Sequence, residues 1–197
     1  SITTKTKYFL ELIDLIKLED NLYVPYKKEF EDILKTIKKN SWKELANELN
    51  LSLNAIKGLL DKQAINFYYL IKILKKANIK NIEIINLVDK IKAKNSNITY
   101  NIPWINSPEF ARLLGYLLAE GRLSKSNQIW FTNGDEEIVV DYKNLIDKIF
   151  GVNASINEYK PNTWDVLVYS QPIIKILEKF GMPKNGGKTE EKTITNL

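Results

Sequence analysis

Leu113-Leu114-Gly115-Tyr116-Leu117-Leu118-Ala119-Glu120-Gly121 is an apolar helical stretch with two small residues one turn apart and an ending of carboxylate then glycine. Ahead of it, Ser107-Pro108-Glu109 reads as an N-cap followed by proline at the first helical position. Gly121 is expected to take the left-handed conformation just past the helix end. Glu120 then lies beside the negative end of the helix dipole, a placement unfavourable by about 0.3–1 kcal/mol where lysine would be the stabilising choice. The position invites a cation. Gly115 and Ala119 share one stripe, where missing bulk admits a second backbone, while Leu114, Leu117 and Leu118 spread apolar surface around the rest. On residue pattern alone, a core helix with an exposed terminal acid fits this stretch as well as a helix built to pair.

The residues that follow extend the pattern. Arg122-Leu123 and Gln128 to Thr132 can form a hairpin around Ser124-Lys125-Ser126-Asn127. Asp135 to Phe150 reads as a helix, with Ile138, Tyr142, Leu145 and Ile149 at helical spacing, acids in the first turn and Gly151 as its cap. Ala154 to Tyr159 and Trp164 to Tyr169 form a second hairpin turning through Pro161-Asn162, and Pro172 to Phe180 a last helix.

The stretch 113–121 resembles the LAGLIDADG (dodecapeptide) motif of homing endonucleases, in the Glu-containing form found in the endonuclease domains of archaeal inteins. The resemblance covers residues 103–197 and implies an αββαββα unit. It also implies motif helices that pair along Gly115 and Ala119, bringing their terminal acids together over the minor groove of double-stranded DNA, with the sheets in the major groove. Glu120 would be the Mg²⁺ (or Mn²⁺) ligand of a site-specific phosphodiester hydrolase. Lys188-Thr189-Glu190-Glu191-Lys192-Thr193-Ile194 resembles the segment that leads into a second repeat, where a Lys-x-Ile-Pro pattern carries a catalytic lysine. Lys192 matches that lysine, although Thr195 replaces the proline, and Lys188 is the alternative.

Composition narrows the chemistry. The chain has 197 residues, no cysteine and no histidine. That excludes disulfides, thiol nucleophiles, a histidine base and zinc sites of ordinary type, and leaves a hard, oxygen-ligated cation as the metal the chain can hold. It also argues against self-splicing, which uses histidines in the intein family. Without an apolar run long enough to span a bilayer or an evident secretory signal, a cytoplasmic protein is expected.

The charge is uneven. Residues 1–100 hold 18 basic and 12 acidic side chains, residues 101–197 hold 11 and 12, so the first half is expected to supply much of the attraction for phosphate. Residues 1–97 read as an all-α domain with helices near 5–17, 26–38, 42–50, 53–62, 66–77 and 82–92, closed by a polar linker at Lys94-Asn95-Ser96-Asn97. Within it, Trp42 to Leu59 resembles a helix-turn-helix. Ala46 is small at the crossing, Asn50 occupies the turn, and Leu45, Leu49, Leu51, Ile56 and Leu59 fall at buried positions. Ser52, Asn54, Lys57 and Lys62 would then face the DNA groove; an ordinary helical hairpin uses the same packing. Ile56 to Asp61 imitates a second LAGLIDADG copy but places Gln63 and Ala64 where the acid and glycine belong.

The expected fold is therefore α+β, an all-α helix-turn-helix-like domain followed by one αββαββα unit. A single motif supplies one set of metal-binding acids, so double-strand cleavage requires a homodimer or a second LAGLIDADG domain in a longer enzyme. Candidate DNA contacts in the second half are Arg122, Lys125, Gln128, Trp130 and Thr132, with Asn157, Tyr159, Thr163, Asp165 and Tyr169 weaker. The rival function is a DNA-binding regulator or RNA maturase that keeps the fold without cutting.

Overall fold

The computed structural model describes residues 12–103 and 107–183, and they fall into two compact units that divide between residues 99 and 100. The first unit holds helices α1 (Lys28–Ile37), α2 (Trp42–Leu49), α3 (Leu53–Leu60), α4 (Phe67–Lys76) and α5 (Asn81–Leu87). Helix starts follow local chemistry. Ser41 Oγ accepts from Glu44 N, Ser52 Oγ from Ala55 N, and Asn66 Oδ1 from Tyr68 N. Phe30, Leu34, Ile56, Leu59, Leu70 and Ile73 are fully buried, and the burial of each such side chain contributes about 1.5–3 kcal/mol.

The expectation of an all-α first half fails here. β1 (Leu22–Val24) lies between β2 (Ile65–Asn66) and β3 (Lys90–Ala93), antiparallel to both. Strands of two to four residues are too short to display a period of two, so helical periodicity on either side absorbed them. The helix expected over 82–92 stops at Leu87, and Val88 is extended (φ −114°, ψ 94°). Lys94 to Asn97 connects β3 to β4 (Thr99–Asn101), the strand within which the two units divide.

The second unit runs α6 (Pro108–Glu120), β5 (Gly121–Leu123), β6 (Gln128–Asn133), α7 (Glu136–Phe150), β7 (Ser155–Lys160), β8 (Thr163–Tyr169) and α8 (Gln171–Lys179). This is the αββαββα order. The sheet is antiparallel in the order β5-β6-β8-β7. Leu123, Ile129, Phe131 and Val166 on one face are fully buried. Phe131 stacks on Tyr142 of α7 at 4.2 Å and meets Tyr116 of α6 at 5.7 Å. Helices cover that face, and the alternate residues Arg122, Gln128, Trp130 and Thr132 form the other, open face.

Both ends of α7 match the sequence. Asp135 Oδ1 accepts from Glu137 N and Ile138 N, and Gly151 closes the helix at φ 67°. The end of α6 does not. Gly121 is extended (φ −79°, ψ 156°) instead of left-handed. The chain passes straight from helix into strand there, and glycine is required for closeness rather than for a positive φ. A β-carbon on Gly121 would lie 2.5 Å from Leu117 Cα.

Candidate functional site

Helix α6 is anchored by Phe110, Leu113, Leu114 and Leu117, all fully buried, and by Ser107, whose Oγ accepts from Phe110 N at 3.0 Å. The side chains of Arg112 and Tyr116, one turn apart, both donate to Asp141 of α7, at 2.9 and 2.8 Å. The Asp141 carboxylate raises the Tyr116 phenol above its ordinary value, through the hydrogen bond first and burial second. The motif helix is thus fixed both by its core face and by a polar clamp, and its last residue, Glu120, is projected at a defined place.

Glu120 is exposed, and among the described residues no ion pair reaches its carboxylate. Together with Arg122, Trp130, Thr132, Tyr159 and Asp165 it lines a depression of about 440 Å³. The end of the motif helix and the open face of the sheet therefore form one surface. Gly115 and Ala119 are exposed as well, and an added β-carbon at Gly115 would meet nothing within 4 Å.

The open face is internally organised. The Arg122 guanidinium lies 5.7 Å above the Trp130 ring, which is half-buried. Gln128 is a knot rather than a free reader. Its Oε1 accepts from Ser124, Ser126 and Trp130 Nε1 at 3.2, 2.9 and 3.3 Å, and its Nε2 donates to Tyr169 Oη at 3.0 Å. Thr132 Oγ1 donates to Asp165 Oδ1 at 2.5 Å. A register shift between Glu158 and Lys160 bulges Tyr159 outward, leaving it 66% exposed. Lys125 is exposed in the β5–β6 turn, and Thr163 is half-buried at the start of β8.

In the first unit, Leu51 N donates to Ala46 O across the α2–α3 turn, with Asn50 left-handed at φ 51°. Leu45, Ala46, Leu49, Ile56 and Leu59 are buried, and Leu51 is half-buried. Ser52, Asn54, Lys57 and Lys62 are exposed. Ser52 and Asn54 line a depression of about 390 Å³ that also includes Tyr23, Asn66 and Lys94. Helix α3 ends at Leu60, so Gln63 does not extend the false second motif as a helix. Lys188 and Lys192 lie outside the described residues.

Sequence reasoning missed the burial of Asp165, which is 6% exposed although its cross-strand partners Thr132 and Asn157 face solvent at least in part. The cross-strand pairing of Thr132 with Asp165 carries the signal, but it depends on a register that a single strand does not reveal. Among the described residues no group of three or more Asp or Glu is placed to hold a metal ion. Glu120 fits a hard divalent cation as one oxygen ligand of a site that other groups complete. No helix of the described residues is long and apolar enough to cross a membrane.

Residues 107–181 match the LAGLIDADG-like domain family. The replication factor C small subunit of Methanocaldococcus jannaschii is 38% identical over 89 residues, which are 44% of this chain and 5% of that protein. An A-type ATP synthase subunit from Pyrococcus horikoshii is 33% identical over 107 residues, 54% of this chain and 10% of the relative. Its counterpart from Pyrococcus abyssi is 27% identical over 84 residues, 43% of this chain and 8% of the relative. The chain spans a tenth or less of the length of these curated relatives.

Proposed function

Since residues 107–181 match the LAGLIDADG-like domain family, we propose that the chain is a site-specific DNA endonuclease module in which Glu120 holds a divalent cation, Mg²⁺ or Mn²⁺. The observation that carries this reading is the placement of Glu120. It is a carboxylate without an ion-pair partner among the described residues, held at the unfavourable end of a well-anchored helix and opening onto the same depression as the sheet's polar face. A stability-driven sequence has no use for an acid there; a cation gives it one.

One Glu120 is half of what cutting two strands requires. The exposed Gly115 and Ala119 stripe is the surface along which a second motif helix packs, from another copy of the chain or from a second LAGLIDADG domain. When bound, the ions supply an activated water and neutralise charge on the leaving oxygen. The chain's own residues position the DNA. The open sheet face, with Arg122, Lys125, Trp130, Thr132, Tyr159 and Thr163, meets the groove. Residues 1–97 act as the second grip, with Ser52, Asn54, Lys57 and Lys62 beside the backbone or bases and a lysine on the stretch 188–192 assisting the chemistry. The curated relatives have unrelated names, which suits a module independent of both named activities.

The second reading is a protein that keeps this fold and binds nucleic acid without cutting, a DNA-binding regulator or RNA maturase. Supercoiled-plasmid nicking in Mg²⁺, beside duplex binding in Ca²⁺, separates the two. Nicking by the wild-type chain that disappears in Glu120→Gln, with binding retained, supports the endonuclease. Equal nicking by both chains removes Glu120 from the mechanism, and binding without any nicking leaves the non-cleaving protein.

A further inference from the structure

Asp165 is the unusual residue of the open face. It lies on β8, flanked in register by Thr132 of β6 and Asn157 of β7. It is 6% exposed, yet it lines the 440 Å³ depression. The Thr132 hydroxyl fixes its orientation by donating to Oδ1. A carboxylate has about four lone-pair positions, so capacity remains on the side facing the depression. Arg122 lines the same depression, but its guanidinium lies against the Trp130 ring, and among the described residues no ion pair reaches Asp165.

A poorly hydrated, oriented negative charge selects what approaches it. Phosphate is repelled, so among the groups of duplex DNA only amino donors on base edges complement it. In the major groove these are cytosine N4 and adenine N6. Adenine's amino group has an acceptor on either side, its own N7 and the O4 of the paired thymine, which opposes a carboxylate; cytosine's has one only on the side of the paired guanine O6. From this we infer that Asp165 is a specificity-determining residue that accepts a hydrogen bond from the 4-amino group of a cytosine. The inference rests on the reading of the open sheet face as DNA-facing. Thr132 is the positioning residue that holds the acceptor still.

The test is selection from a randomised duplex library in Ca²⁺ with the full wild-type chain, Asp165→Asn and Thr132→Val. The wild-type chain enriches sites in which one position prefers cytosine by about tenfold. Asp165→Asn moves that position toward adenine, whose N6 and N7 an amide satisfies together, and leaves the other positions alone. Thr132→Val, which keeps the carboxylate and loses its anchor, weakens the same cytosine preference without replacing it. If Asp165→Asn returns the wild-type profile, Asp165 does not read a base and the DNA reading stands. If Asp165→Asn does not fold, an unaltered profile for Thr132→Val overturns the inference. If the wild-type chain enriches no sequence, the reading of the open face fails first.

Discussion

The backbone of Leu117 runs so close beneath Gly121 that a β-carbon at residue 121 would stand 2.5 Å from Leu117 Cα and 2.7 Å from its carbonyl oxygen. The junction of motif helix and first strand is thereby closed, and Glu120 is held immediately before it.

Gly121→Ala must move helix or strand, because the obstructing atoms are backbone. We expect a loss of roughly 1–3 kcal/mol, read as a lower urea midpoint with an unchanged slope, and a parallel fall in any Glu120-dependent activity. An unaltered midpoint would show that the junction relaxes freely.

Gly115 behaves oppositely. It sits mid-helix in open space, where glycine costs about 0.5–1 kcal/mol relative to alanine. Gly115→Ala should therefore stabilise the single chain by about that amount in thermal melts. Gly115→Leu should leave the single chain folded while abolishing self-association in sedimentation equilibrium. A dimer that survives Gly115→Leu would move the pairing surface elsewhere.

Acid sensitivity should concentrate at Glu31. The residue is 7% exposed, and its carboxylate accepts from Tyr26 Oη at 2.5 Å and is paired with Lys35 and Lys28. Lys35 first, then Tyr26 and Lys28, hold it down at about 2, against an ordinary 4.5. A group whose folded value is depressed stabilises fully above its unfolded value and loses that contribution as pH falls toward the folded one. The urea midpoint should decline between pH 4.5 and about 2, and Glu31→Gln should flatten that part of the profile. A profile equally steep in the variant would place the acid sensitivity at other carboxyls.

Tyr142 carries a buried hydroxyl that, among the described residues, has no hydrogen-bond partner, and burial pushes its phenol well above the usual tyrosine value. Tyr142→Phe keeps the ring stacked on Phe131 and removes the orphan group. Stability should rise by up to roughly 1–3 kcal/mol; a clear loss would reveal a partner for the hydroxyl.

How much of this was readable in advance varies with the range of the forces involved. Ser107, Asp135 and Gly151 act on neighbours two to four residues away, so the ends they cap can be read from the chain. Ile129 and Phe131 alternate with Trp130 over enough residues to separate core face from open face. The burial of Asp165 is not legible in the chain, because it arises beside Thr132, thirty-three residues earlier and adjacent only once strands pair. The strands β1, β2 and β3 were missed for the same reason, since each is stable only through its partner. Gly121 was placed at the right boundary for the wrong reason. The chain reports that a side chain is forbidden there, and tertiary closeness decides why.

The hairpins β5–β6 and β7–β8 turn at Asn127 and Asn162, both left-handed at φ 61° and 57°. Turns of this kind fix which residues face each other, and a slip by one would carry Trp130 into the interior and Phe131 out to solvent. The apolar interior and the polar open face are thus two sides of a single alignment. A misaligned molecule loses its core along with its outer face, so no stable population exists that is folded but wrongly presented. Faithful presentation is inherited from stability itself and needs no separate proofreading.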